Sequence, residues 1–201
     1  MSTPHERRFR RICVFCGSQA GHDARYAEAA RRFGHVLAES GVALVYGGGS
    51  VGLMGVLADA ALERRGDVIG VIPQALARKE LLHVGVSDMR VVPDMHARKA
   101  LMAELSDGFV ALPGGFGTFE ELFEVITWAQ LGIHRKPVGL LNVAGSFNPL
   151  SNMIEHAVET GFLRPEHRRL ISVSSSVEEL LPTLALQEPP TLPKWMRPDE
   201  T

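Results

Sequence analysis

The chain has only two cysteines in 201 residues, Cys13 and Cys16, too few for a disulfide scaffold or a four-cysteine zinc site. Their C-x-x-C spacing invites a redox reading. They lie, however, in Ile12-Cys13-Val14-Phe15-Cys16, an apolar run that reads as a buried strand. Residues three apart on a strand point to opposite faces, so two diverging, buried structural thiols are expected. Long apolar runs are missing as well: none reaches the ~18 residues of a membrane helix. The opening Met1–Arg11 is polar, carries Arg7, Arg8, Arg10 and Arg11, and has no apolar segment of a secretory signal behind it. The expected location is the cytoplasm, with no membrane partner. Net charge is scarce too. A formal charge of −2 leaves no global field to attract a polyanion, which argues against a nucleic-acid partner. None of the eight histidines forms a pair with convincing metal spacing, so no metal is expected. Lysine occurs only at 79, 99, 136 and 194, and none sits in a convincing pyridoxal-phosphate setting, so no cofactor is expected.

What the chain does have is alternation. Short β-rich runs at 10–16, 43–46, 68–72, 89–92, 109–112, 138–141 and 170–173 are separated by amphipathic stretches of helical length. Asp94 stands where a cap for the helix holding Met95 to Ser106 is needed. Residues 74–88 are less regular, as suits a loop or lid. This order predicts an α/β fold: a single-domain, Rossmann-like, doubly wound and mainly parallel sheet with helices on both faces. The domain is expected over residues 10–186, with a flexible arm at 1–9 and a Pro-rich tail at 187–201. Ligands bind such sheets beyond the carboxyl ends of the strands. Three segments fall there: Gly17-Ser18, Gly47 to Gly52, and Pro113 to Thr118.

Gly47-Gly48-Gly49-Ser50-Val51-Gly52 fits G-x-G-x-x-G between strand and helix. It follows the second strand rather than the first, and the next strand ends in Val71-Ile72-Pro73 with no acid for a ribose, so nicotinamide chemistry is not expected. Ser18, Gly48 and Gly49 remain candidate contacts, as backbone that a sugar or phosphate can approach closely. Pro113-Gly114-Gly115-Phe116-Gly117-Thr118 precedes a helix, where free N–H groups and the helix dipole favour an anion. It lacks the Lys-Ser/Thr ending of a P-loop. Thr118-x-x-Glu121 reads equally as a capping box or as a carboxylate next to an anion site. Arg98 and Lys99 open the helix after the fourth strand, where cations oppose the dipole unless an anion or Glu121 faces them.

Pro113-Gly114-Gly115-x-Gly117-Thr118-x-x-Glu121, with Met95-His96-x-Arg98-Lys99 upstream, resembles the LONELY GUY (LOG) phosphoribohydrolases, often mislabelled lysine decarboxylases. Val14-Phe15-Cys16-Gly17-Ser18, Tyr46-Gly47-Gly48-Gly49 and Gly52-Leu53-Met54-Gly55 match as well, and the likeness runs from about residue 10 to 186. It implies hydrolysis of the N-glycosidic bond of a nucleoside 5′-monophosphate to free base and ribose 5-phosphate. By the same resemblance Arg98 and Glu121 are catalytic, and Lys99, Gly115, Gly117, Thr118, Glu80 and Thr127 bind substrate; Gly114, in the same glycine loop, is a further candidate contact. A homodimer is implied too, with weak support from apolar helix faces around Leu122, Ile126 and Trp128. The competing reading is a non-catalytic nucleotide or phosphate-ligand binding protein on the same fold.

Overall fold

A computed structural model describes residues 7–77, 81–188 and 190. The expected arm and tail fall largely outside these residues, and Glu80 lies outside them. Seven parallel strands form one sheet: β1 (Arg11–Phe15), β2 (Ala43–Tyr46), β3 (Val68–Pro73), β4 (Asp88–Val92), β5 (Gly108–Ala111), β6 (Val138–Leu141) and β7 (Ile171–Ser174). Their spatial order is β4-β3-β2-β1-β5-β6-β7. The chain builds outward from β1 to β4, then returns to lay β5 on the other side of β1 (Ile12 beside Gly108, Phe15 beside Ala111). That reversal opens a crevice above the carboxyl ends of β1 and β5.

The helices are α1 (Ala24–Glu39), α2 (Gly52–Glu63), α3 (Gln74–Ala77), α4 (Met95–Leu105), α5 (Phe116–Leu131), α6 (Asn148–Glu159) and α7 (Val177–Leu186). Strands covered on both faces need apolar residues at every position. β3, β5 and β6 are accordingly buried along their whole length. The alternation of side chains then divides the interior into two cores. Ile12, Val14, Leu44 and Tyr46 join residues of α1, α2 and α7 in one; Cys13, Phe15 and Val45 join Met102, Leu122 and Val125 in the other.

The two cysteines behave as their spacing predicts. Cys13 belongs to one core and Cys16 to the other, both buried and free. Burial pushes both thiols well above their ordinary pKa, and neighbouring Glu121 adds to the effect. Neither is a thiolate nucleophile at neutral pH.

Asp94 caps α4 as expected, its side chain accepting from Ala97 N at 2.9 Å. The segment 74–88 is more ordered than its sequence suggests. One turn of helix, α3, opens it, and Leu82 then forms an antiparallel bridge with Gly49.

Candidate active site

The crevice holds a cavity of about 360 Å³. Arg98 and Glu121 line it together with Ser18, Gly47, Gly49, Gly115, Gly117 and Thr118, and Met54, Leu76, Leu81 and Met95 supply apolar wall. All three strand-end segments singled out in the sequence therefore meet in one place. They are also bonded to one another, with Gly17 N–H donating to Pro113 O at 3.0 Å and Leu53 N–H to Gly17 O at 3.0 Å.

Arg98 projects from the first turn of α4 and Glu121 from α5, with Nη2 and Oε1 3.4 Å apart. Both side chains are almost wholly buried, at 11% and 10% exposure, which makes this pair unlike every other ion pair among the described residues. The remaining pairs each have a half-exposed or solvent-facing partner, apart from the one between Lys99 and Glu124. Burial raises the pKa of the Glu121 carboxyl above the ordinary carboxylate range, and the Arg98 charge opposes that rise. A carboxylate held in this balance is a stronger base than a solvated one. Arg98 Nε is buried and has no hydrogen-bond partner among the described residues. A donor in that state beside an open cavity is a place for a ligand acceptor.

Arg98 reaches this position because residue 47 has no side chain. A Cβ there would lie 2.0 Å from Nη2. Gly47 thus makes room for the arginine, a role different from the phosphate contact its motif suggests. Gly48 takes a left-handed φ of 73° and does not line the cavity.

Glu121 does not cap its helix. α5 begins at Phe116 behind an N-cap of Gly115, which makes no side-chain cap bond, so Glu121 lies in the second turn. The capping-box pattern was a local match to a helix that starts two residues earlier than Thr118. Thr118 is buried and faces the cavity. The amides of Phe116, Gly117 and Thr118 belong to the first turn, which has no acceptors inside the helix. With the helix dipole they form an anion site at the mouth of the cavity.

The loop glycines separate into two kinds. A Cβ on Gly114 would sit 2.1 Å from Thr118 Oγ1 and 2.9 Å from Gly17 N, so Gly114 is required by the protein itself. Gly115 and Gly117 have nothing within 4 Å of an added Cβ, and neither has a positive φ. Nothing among the described residues demands glycine there, and the open space leaves this backbone accessible from the cavity. The variants should part accordingly. Gly114→Ala is expected to lose about 1–3 kcal/mol through overpacking. Gly117→Ala should gain up to about 1 kcal/mol of stability, as Gly to Ala in a helix, and weaken the binding of an anion at these first-turn amides roughly tenfold. Thermal melts and calorimetric titration with AMP check both.

Lys99 points elsewhere. Its Nζ bonds Glu120 and, at 2.9 Å, Glu124, joining α4 to α5 one helix face away from the cavity. Burial works against its charge, but the two carboxylates outweigh that and raise its pKa. Glu120 is held by this lysine and lines the cavity. Thr127 lies on the outer face of α5, its hydroxyl donating to Phe123 O at 2.7 Å. It is not brought to this cavity. Leu122 is fully buried in the core, with Ile126 and Trp128 packed against it, so they do not form the exposed face expected for association. The exposed stripe of α5 is Phe116, Phe119 and Phe123, with Phe116 93% exposed. His83, which with Lys79 and Glu80 belongs to the irregular segment 74–88, is buried against Asp59, a pairing that no local signal in the sequence marked.

The family model described as "Possible lysine decarboxylase" matches residues 54–184. The cytokinin riboside 5′-monophosphate phosphoribohydrolase LOG7 of Arabidopsis thaliana is 53% identical over 182 residues, covering 90% of this chain and 84% of that protein. LOG of Oryza sativa subsp. japonica, of the same description, is 52% identical over 181 residues, covering 90% and 74%. Among solved structures, the Moco Carrier Protein from Chlamydomonas reinhardtii superposes with a TM-score of 0.63 at 25% identity, over 85% of this chain and 91% of that one. The molybdenum cofactor binding protein of Rippkaea orientalis gives 0.64 at 23% identity, over 85% and 92%, a likeness of fold. With half its residues shared over nine-tenths of its length, and with Met95, Arg98, Gly115 to Thr118 and Glu121 of its two intact motifs lining one cavity, the chain belongs to the LOG family of cytokinin riboside 5′-monophosphate phosphoribohydrolases.

Proposed function

We propose that this protein hydrolyses the N-glycosidic bond of a nucleoside 5′-monophosphate, a cytokinin riboside 5′-monophosphate or AMP, to free base and ribose 5-phosphate. The observation that carries the reading is the buried Arg98–Glu121 pair at the floor of a cavity whose mouth is a helix N-terminus. The phosphate sits on the amides of Gly115 to Thr118 and the Thr118 hydroxyl. Ser18, Gly48, Gly49 and Gly114 belong to the loops that shape its surroundings. Lys99 joins when it exchanges the exposed Glu120 carboxylate for a phosphate oxygen. This anchoring directs the anomeric carbon toward Glu121 and converts remote binding energy into alignment.

As the bond to the base lengthens, positive charge grows on the ribose. The Glu121 carboxylate stabilises that charge and takes a proton from the attacking water, whose oxygen bonds to the anomeric carbon. The departing base keeps the electron pair of the broken bond and takes a proton from solvent, and Glu121 returns the proton it took from the attacking water to solvent, which restores the carboxylate. Arg98 holds Glu121 in place and favours its ionised form. A carrier that merely held nucleotide would have no use for this carboxylate, whose charge repels a phosphate; its presence favours turnover. Decarboxylation through a lysine Schiff base has no comparable support. Of the lysines among the described residues, Lys99 is tied to Glu120 and Glu124, Lys136 donates to Ala103 O, and neither lines the cavity.

The same reading includes a cytoplasmic homodimer built from one domain over 10–186. No helix among the described residues is long and apolar enough to cross a membrane. The Phe116–Phe119–Phe123 stripe is the face that pairs, and Thr127 extends it by one turn, so Thr127 serves substrate across the dimer. Glu80 keeps its place as a family-matched contact. Incubation with nucleoside 5′-monophosphates, nucleosides and prenylated AMP, with free base read by chromatography, tests the proposal. Base should appear from the monophosphates; release from nucleosides alone would overturn the phosphate anchor.

A further inference from the structure

His83 is 8% exposed, and both of its ring nitrogens are used. Nδ1 accepts from Gly85 N–H at 3.1 Å, so the proton resides on Nε2, which donates to Asp59 Oδ1 of α2 at 3.0 Å. The side chain therefore joins helix α2 to its own turn. Its backbone does something else. His83 N–H donates to Gly48 O at 3.0 Å, Ser50 N–H donates to Leu81 O at 2.9 Å, and Leu82 bridges Gly49. Residues 81–83 are thus strapped across the glycine turn from Gly48 to Ser50.

That strap borders the cavity on two sides. Leu81 is part of the cavity wall, and the turn it secures follows directly on Gly47, against which the Arg98 guanidinium lies. Neither His83 nor Asp59 lines the cavity. Beyond the strap the chain has little to hold it: Val84 is 95% exposed, and Val86 is the next residue anchored in the core. Among the described residues, the His83 side chain is the contact that ties that exposed tip to α2.

We infer that His83, latched by Asp59, is a positioning residue for this cavity: it fixes the Leu81 wall and the seat of Arg98 in the conformation that accepts nucleotide. The inference rests on the proposed function for its substrate, though the latch itself is a property of the strap. With the latch released, the closed wall is populated only part of the time, and apparent affinity falls by that fraction. Once substrate is bound the wall is held, so KM rises and kcat stays.

Asp59 lies on the exposed side of α2, where alanine is a better helix former, so Asp59→Ala folds. In that variant, amide exchange at Ser50 and His83 should accelerate about tenfold, the effect of losing one charge-assisted hydrogen bond. The Kd for AMP, read by calorimetry, and the KM should rise by a similar factor of about ten, with kcat within about twofold of wild type. Asp59→Asn keeps an acceptor for Nε2 and should restore most of the affinity. A purely structural role would lower the melting temperature and leave KM untouched. Faster exchange with unchanged AMP affinity, or unchanged exchange, overturns the inference. A wild-type protein that binds AMP yet releases no adenine contradicts the proposed hydrolysis instead, and the affinity comparison still decides on the latch.

Discussion

Glu121→Gln is expected to slow adenine release from AMP by about 10²–10⁴-fold, the usual loss when a positioned general base is removed, while ribose 5-phosphate still binds. Glutamine keeps the shape of the side chain and an oxygen for Arg98 Nη2, which lies 3.4 Å from Oε1 in the native pair. It removes the negative charge that answers the developing positive charge on the ribose. The anchor for phosphate is elsewhere, on the first-turn amides of α5, so affinity for the phosphorylated product should persist or improve as a repelling charge disappears. Loss of a helix cap cannot explain a slow variant, because Gly115 occupies the cap and Glu121 makes no cap bond. Single-turnover release of adenine, with a thermal melt alongside, reads the effect. A variant as fast as wild type would return Glu121 to a structural role.

The second large effect concerns stability. Arg98→Met should cost about 3 kcal/mol at neutral pH, because it leaves the Glu121 carboxylate buried without its cation. Water in the adjoining cavity keeps the loss at the low end for broken buried pairs. Combining Arg98→Met with Glu121→Gln should return most of that loss, since a neutral pair has no charge to desolvate. The sign with pH is fixed by the raised Glu121 pKa. A carboxyl that titrates higher in the folded than in the unfolded chain favours folding below its unfolded pKa, and that contribution disappears as pH rises through the folded pKa. Removal of Arg98, which opposes the rise, pushes the folded pKa higher still. The single variant should therefore regain stability on acidification from pH 7, and the double variant should not. Denaturant titrations of the four proteins form a double-mutant cycle. Strict additivity would show that the two groups do not interact.

The glycines and the charged residues of the site were legible to different degrees. Parallel strands buried on both faces are continuous apolar runs, so Val68 to Ile72 and Phe109 to Leu112 announce themselves, and the loops after them can only lie at one edge of the sheet. Asp94 was readable because capping is local. The Thr118–Glu121 capping box was a wrong local match, since Gly115 already takes the extended cap conformation and starts α5 earlier. The destinations of Arg98 and Lys99, adjacent in sequence, depend on which face of α5 each meets. Arg98 finds the cavity through the gap at Gly47, and Lys99 finds Glu120 and Glu124 outside it. α5 is apolar on more than one side, so periodicity alone could not say that Leu122 faces the core and Phe119 and Phe123 face solvent. His83 is legible only as part of the irregular segment 74–88; its partner, Asp59, lies 24 residues away on another element, which no local pattern can reveal.

The pH dependence of kcat/KM for AMP, in wild type and in Glu121→Gln, tests the central claim most directly: that an ionised Glu121, raised by burial and restrained by Arg98, drives the cleavage. Activity in the wild type should fall on the acid side with an apparent pKa above the ordinary carboxylate range, as the base becomes protonated. The residual activity of Glu121→Gln should lack that acid limb. An identical limb in both proteins would place the essential base on another residue and contradict the account.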